Sequence, residues 1–133
     1  MISNRELQNM FRLANMSKKK LHSALRVMGK NHLKSQWRDQ WTEDRVTTGY
    51  CYPVSEVVFH FTNRNTDSYI LKNSDNTTHW FLRTKTGRVI DLTADQIDGY
   101  FDYDSGVQRR FMTKEISMRG KILAMLIGVI YDG

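Results

Sequence analysis

Hydrophobic positions change their spacing along this chain, and each change marks an element. Leu21, Ala24, Leu25 and Met28 recur at helical spacing, which predicts a helix capped by Ser17 and stopped by Gly29. Ahead of it, Ser3-Asn4-Arg5-Glu6 fits a capping box, opening a helix with Leu7, Met10, Phe11 and Ala14 on one face. Leu33, Trp37 and Trp41 continue a helical stripe, so a third helix is expected from about Asn31 to Trp41. That stripe reads as packing more than as a base-stacking platform. Thr42 to Tyr50 reads as a loop. Val54, Val57, Val58 and Phe61 then line one face of an amphipathic helix. Pro53 should be its first residue, where a missing N–H costs little.

Beyond the break at Asn63 to Ser68 the period falls to that of a strand. Tyr69-Ile70-Leu71 predicts a short strand, and Asn73 to Thr78 a polar turn. His79 to Arg83 and Arg88 to Leu92 predict paired strands joined through Thr84-Lys85-Thr86-Gly87. Thr93 to Gly106 is acidic and aromatic, with Asp95, Asp98, Asp102 and Asp104, but no glutamate is placed to close a calcium loop. Ser117 should cap a final helix with Ile122, Leu123, Leu126 and Ile130 inward. The expected fold is α+β: a small antiparallel sheet packed against a helix bearing Cys51 at its N-terminus, with added N-terminal helices. A chain of 133 residues suits one domain. Within it, 1–41 reads as a basic helical segment and 42–133 as the core.

Charge separates those two parts. Residues 1–45 carry ten Lys/Arg against four acids, and residues 46–133 carry ten of each sign, so the net +6 lies at the N-terminal side. Lys18-Lys19-Lys20 is the one run, and with Arg5 and Arg12 it can attract nucleic acid or another polyanion, although the scattered charges fit a solvated helix surface better. The single cysteine permits no internal disulfide and fits a reducing cytosol. Met1 to Glu6 lack the apolar core of a signal peptide. The longest apolar stretch, Ile122 to Ile130, falls short of the ~20 residues a membrane helix needs. These features predict a cytoplasmic protein without a membrane span.

Cys51 carries the chemistry. It follows Gly49-Tyr50 and precedes the predicted helix, so its sulfur would sit where the partial positive charge of a helix N-terminus favours a thiolate. Gly49 would leave room for a substrate, and the Cys51 N–H would donate to an oxyanion. Pairing the hairpin around Lys85 puts His79 opposite residue 91 or 93, which makes His79 and Asp91 neighbours on one face. Trp80, Leu82, Ile90 and Leu92 fall on the other face. Asp91 would fix the orientation and tautomer of the imidazole, and Asp95 is a rival for that role. The expected catalytic residues are thus Cys51, His79 and Asp91, bordered by binding residues Gly49, Tyr50, Trp80 and Asp95. His22, His32 and His60 are weaker candidates, with His60 two turns inside the Cys51 helix. Singly, a cysteine is more often inert packing and a strand histidine structural; the combination points to thiol chemistry. One cysteine and scattered histidines predict no structural zinc site, and no phosphate or dinucleotide loop predicts a cofactor.

Cysteine at a helix start, histidine on a strand and aspartate on the next resembles the papain and transglutaminase superfamily. Gly49-Tyr50-Cys51-Tyr52-Pro53-Val54-Ser55-Glu56, Thr78-His79-Trp80-Phe81-Leu82 and Val89-Ile90-Asp91-Leu92-Thr93-Ala94-Asp95-Gln96 more closely resemble the YunG-like family of uncharacterised phage and bacterial proteins. The likeness runs from about Trp41 to residue 125 and includes the Ser117-Met118-Arg119 helix start. Members often have glutamine before the cysteine, where this chain has Tyr50. The resemblance implies a papain-like or transglutaminase-like core, with residues 1 to 40 outside it.

Three functions compete. One is a thiol hydrolase or acyltransferase acting on an amide, isopeptide or thioester bond of a protein or peptide. Another is a non-catalytic binding module that keeps the fold, for example a phage protein blocking a host factor. The third is nucleic-acid binding through Arg5, Arg12 and Lys18 to Lys20, which rests on charge.

Overall fold

In the computed structural model, which describes residues 18–62 and 64–127, a central helix lies between other helices and a sheet. Helix α1 (Lys18–Met28) buries Leu21, Ala24, Leu25 and Met28, as the periodicity predicts. Gly29 closes it at φ 58°, in the left-handed region that glycine tolerates, with its N–H donating to the Leu25 carbonyl at 2.8 Å. Helix α2 is only Ser35–Arg38, shorter than the expected Asn31 to Trp41. The aromatic stripe is satisfied without more helix: Trp37 and Trp41 pack on the core, and the Trp41 indole donates to the Val46 carbonyl at 2.9 Å. The predicted helix from Ser3, and Ile130, lie outside the described residues.

Helix α3 (Cys51–Phe61) starts two residues ahead of Pro53. Tyr50 is its N-cap, and the Val54 N–H donates to the Tyr50 carbonyl at 3.1 Å. Pro53 therefore sits third in the helix. The N–H groups of a first turn have no intrahelical acceptor, so proline is tolerated there as well as at the first position. A residue before proline is ordinarily biased toward extended backbone, but Tyr52 is helical, with tertiary anchors on both sides. Tyr50 donates its buried hydroxyl to the Gly29 carbonyl, and the Tyr52 hydroxyl accepts from the Met112 N–H at 2.8 Å.

The sheet is antiparallel, ordered β3-β2-β1-β4, from β1 (Thr66–Lys72), β2 (Thr78–Thr84), β3 (Val89–Ile90) and β4 (Val107–Gln108). β1 is longer than predicted, and β3 keeps only two residues of the expected Arg88 to Leu92. The register pairs Leu71 with His79, Ile70 with Trp80 and Tyr69 with Phe81. Alternation then sorts the side chains. Ile70 and Trp80 turn toward Cys51, while Leu71 and Phe81 join Phe101 in a separate cluster.

On its other side α3 gives Val54 and Val57 to a cluster with Leu21, Leu25 and Leu123, so α1 shares one core with α3 and α4. Helix α4 (Met118–Leu126) is capped by Ser117, whose hydroxyl accepts from the Gly120 N–H at 3.1 Å. Leu123 is buried as expected, but Leu126 is 43% exposed and does not face inward. Glu56, buried in α3, accepts from the Ser117 N–H at 3.0 Å and from its hydroxyl, tying the two helices together. Among the described residues no helix is long and apolar enough to cross a membrane.

Candidate active site

Because α3 begins at Cys51, the thiol stands on its first residue. The N–H groups of Cys51 and Tyr52 then belong to the unpaired set that opens a helix and gives it a positive end. Cys51 is 7% exposed and packs with Ile70 and Trp80. Its S–H donates weakly to the Thr78 carbonyl at 3.9 Å, where β2 starts.

His79 follows Thr78, and its ring is fully buried. Phe101 lies flat on it, with centroids 3.7 Å apart and planes 6° from parallel. His79 Nε2 is 2.6 Å from Asp91 Oδ2. The carboxylate has no proton to give, so Nε2 carries one and donates. Asp91 stands one residue beyond β3 and is itself held from every side. Its Oδ2 also accepts from the Tyr103 hydroxyl at 2.6 Å, and Oδ1 accepts from the Thr93 N–H at 3.1 Å and the Thr93 hydroxyl at 3.2 Å.

Nδ1 of His79 is buried and makes no hydrogen bond. With Nε2 committed to Asp91, Nδ1 is the ring nitrogen left for the thiol. Burial pushes the imidazole pKa down, but the hydrogen bond and charge of Asp91, joined by polar contact with Cys51 and its charge, raise it to about 9. Near neutral pH the ring is therefore an imidazolium, the form that stabilises a neighbouring thiolate. Tyr103 is pushed up, first by burial and then by Asp91, and stays a neutral donor. The arrangement brings together a thiol at a helix start, a proton-carrying ring beside it and a fixed carboxylate behind the ring, the set that nucleophilic acyl chemistry requires.

The other predicted residues are placed elsewhere. Tyr50 is fully buried, with its hydroxyl on the Gly29 carbonyl and its pKa pushed to about 12 by burial. It braces α1 against α3 and offers nothing to an oxyanion. Gly49 has φ 79°, and a Cβ there would lie 2.8 Å from Leu33 and Trp37, so it permits close packing of the chain on α2 and not the approach of a substrate. Trp80 is buried beside Cys51, stacked on Phe111 and edge-on to Tyr52. Asp95 does not reach His79: it accepts from the Thr47 hydroxyl at 2.8 Å and lies 3.5 Å from His22 Nε2. Lys19 and Lys20 are exposed at the start of α1, which also contains Lys18. His32 is exposed, and His60 lies in the last turn of α3.

Tyr103, Thr93 and Phe101 hold the site and were not among the predicted residues. The one signal for Phe101 and Tyr103 in the sequence is a set of aromatic residues in an otherwise acidic segment, and Thr93 is marked only by its place two residues after Asp91. Phe101 also walls a cavity of about 450 Å³ shared with Trp37, Thr48, Leu71, Gln96 and Tyr100. Phe101 thus has the His79 ring on one side and this cavity on another. No protein-family model, curated protein or solved structure matches this chain.

Proposed function

We propose that this protein is a cysteine-dependent hydrolase or acyltransferase acting on an amide, isopeptide or thioester bond. Its segments around Cys51, His79 and Asp91 resemble those of the YunG-like family, and a papain-like or transglutaminase-like core is part of the same proposal. The observation that carries it is the buried His79–Asp91 pair at 2.6 Å, with the His79 side chain in polar contact with Cys51 and its Nδ1 holding no hydrogen bond. The Cys51 thiolate would attack the acyl carbon, forming the C–S bond. The N–H groups of Cys51 and Tyr52 would donate to the oxyanion. The proton on His79 Nδ1 would pass to the leaving amine or thiol, leaving a thioester on Cys51. Water or an acceptor amine would then give its proton to His79, attack the thioester and release Cys51.

A second reading is favoured by a different observation. Cys51 is 7% exposed and the His79 ring is covered by Phe101, as expected of a binding module that retains the fold without turnover. Iodoacetamide treatment of the folded chain, followed by intact mass, separates the two. Stoichiometric labelling at Cys51 under native conditions is expected. Labelling only after denaturation would overturn the enzyme reading in favour of the binding module.

A further inference from the structure

Folding gathers charges that the sequence spreads apart. In residues 46–133 acids and bases balance, yet a groove of about 640 Å³ has Arg64, Lys85, Arg109, Arg110 and Lys114 in its wall, with His60, against the single acid Asp67. Asp67 is held by Lys85 at 2.9 Å. Arg64, Arg109, Arg110 and Lys114 form no ion pair among the described residues. Among the described residues, the groove therefore carries four cations without an ion-pair partner.

The wall is built and not a chance spray of side chains. Arg64, three residues beyond α3, lies in the left-handed region, φ 60°, with its N–H on the Phe59 carbonyl at 2.9 Å. The Arg109 N–H donates to the Ser68 carbonyl at 2.9 Å, and its carbonyl accepts from the Ser68 hydroxyl, so its backbone is pinned to β1. Five of the ten acids in that half, Asp91, Asp95, Asp98, Asp102 and Asp104, fall in the segment that contains Phe101, while Glu115 borders the groove closely enough to act on His60.

We infer that this groove binds a carboxylate-rich segment of a partner polypeptide. Charge complementarity selects a polyanion, and the aromatic residues decide which kind. Single-stranded nucleic acid is gripped by open ring faces on which bases stack. Phe111 and Phe59, the two aromatic residues in the wall, are instead committed to the protein: Phe111 stacks on Trp80 at 5.5 Å and lies edge-on to Tyr52 and Phe59. Exposed guanidinium and ammonium groups around an open trough suit mobile carboxylates, which they meet as forks and point charges. The site is independent of the thiol chemistry, although Phe111 links its wall to the Tyr52 and Trp80 rings that pack on Cys51.

The test is fluorescence anisotropy of a labelled oligoglutamate and of an oligothymidylate of equal charge, titrated with the full chain at low and physiological salt. It uses wild type, Arg109→Glu/Arg110→Glu and Lys19→Glu/Lys20→Glu, with thermal melts showing each variant folded. It is repeated on Cys51→Ala, which keeps the outcome separate from the proposed reaction. The groove variant should weaken oligoglutamate binding about tenfold or more, since like charges now face the ligand. The Lys19/Lys20 variant should change it less than about twofold, and salt should weaken wild-type binding steeply. The proposal is overturned by no oligoglutamate binding at low salt, or by equal losses in the two variants. It is also overturned if oligothymidylate binds as tightly as oligoglutamate and is lost with the groove charges, which would make this a nucleic-acid surface.

Discussion

Glu56 and Asp91 are both buried carboxylates, and the fold puts them to opposite uses. Both oxygens of Glu56 are spent on Ser117, whose N–H and hydroxyl fix the start of α4 against α3. Asp91 spends one oxygen on Thr93 and gives the other to His79 and Tyr103. The first set of donors contains nothing that exchanges a proton near neutral pH. The second contains an imidazole whose free nitrogen is left for a thiol. Burial marks both carboxylates, so burial alone does not identify a reaction site; the chemistry of the donor does.

Removing each carboxylate's function should therefore give different phenotypes. Glu56→Ala leaves the Ser117 N–H without its acceptor and opens a void between helices, so it should cost about 3 kcal/mol of stability. The native-state alkylation rate of Cys51 should stay within about twofold of wild type. Urea denaturation and iodoacetamide kinetics on the same sample measure both. A large change in alkylation with little loss of stability would erase the distinction between the two carboxylates.

His79→Ala is the converse. Without the imidazolium, alkylation of Cys51 at neutral pH should slow about tenfold. The variant also leaves a void under Phe101 and will be less stable, so the rate is compared with that of a stability-matched variant such as Leu123→Ala. If the Leu123 variant slows alkylation equally, the histidine acts by packing and not by charge.

The sequence made this contrast half legible. The hairpin register placed His79 beside Asp91 because side chains alternate strictly along strands, and the observed pairs Leu82 with Ile90 and Arg83 with Val89 carry that register to the strand end. The start of α3 differs from the one Pro53 predicts because proline is a local signal, whereas the helix is opened by Tyr50, pinned to Gly29 twenty-one residues away. Tyr103, Thr93 and Phe101 were illegible for the same reason. Their roles depend on where a loop folds back over the sheet, and loops carry no periodicity. Leu126 failed because a short amphipathic stripe does not say which edge of the helix remains uncovered.

Tyr103→Phe removes one donor from Asp91 while keeping the ring. It should cost about 1 kcal/mol, since the carboxylate keeps three of its four hydrogen bonds. Alkylation should slow by no more than about threefold, because Tyr103 positions Asp91 and touches neither the thiol nor the imidazole ring nitrogens. Thr93→Ala should resemble it. If Tyr103→Phe slows alkylation as much as His79→Ala, the tyrosine is more than a brace for Asp91.

The smallest effect is the most diagnostic, because the two carboxylates should leave their marks in different pH windows. His79 has its folded pKa raised to about 9, above the ~6.5 of an unfolded imidazole. Its stabilising contribution is complete below about 6.5 and is lost as pH rises through about 9. Glu56 is also raised, by burial first and against the hydrogen bonds from Ser117, above its ordinary 4.5. Its contribution is complete below that value and declines as pH rises above it through its folded pKa. Tyr50 and Tyr103 titrate higher still and fall outside both windows. His60 is lowered, mainly by burial, and Asp75 is lowered by Thr77, but both persist in every variant and cancel in differences from wild type. Denaturation midpoints measured from about pH 4 to about pH 9.5 should show Glu56→Gln flattening only the decline that begins above 4.5 and Asp91→Asn flattening only the alkaline one. An alkaline decline that survives in Asp91→Asn would mean that His79 does not draw its proton affinity from Asp91, and the pairing on which the proposed chemistry depends would fail with it.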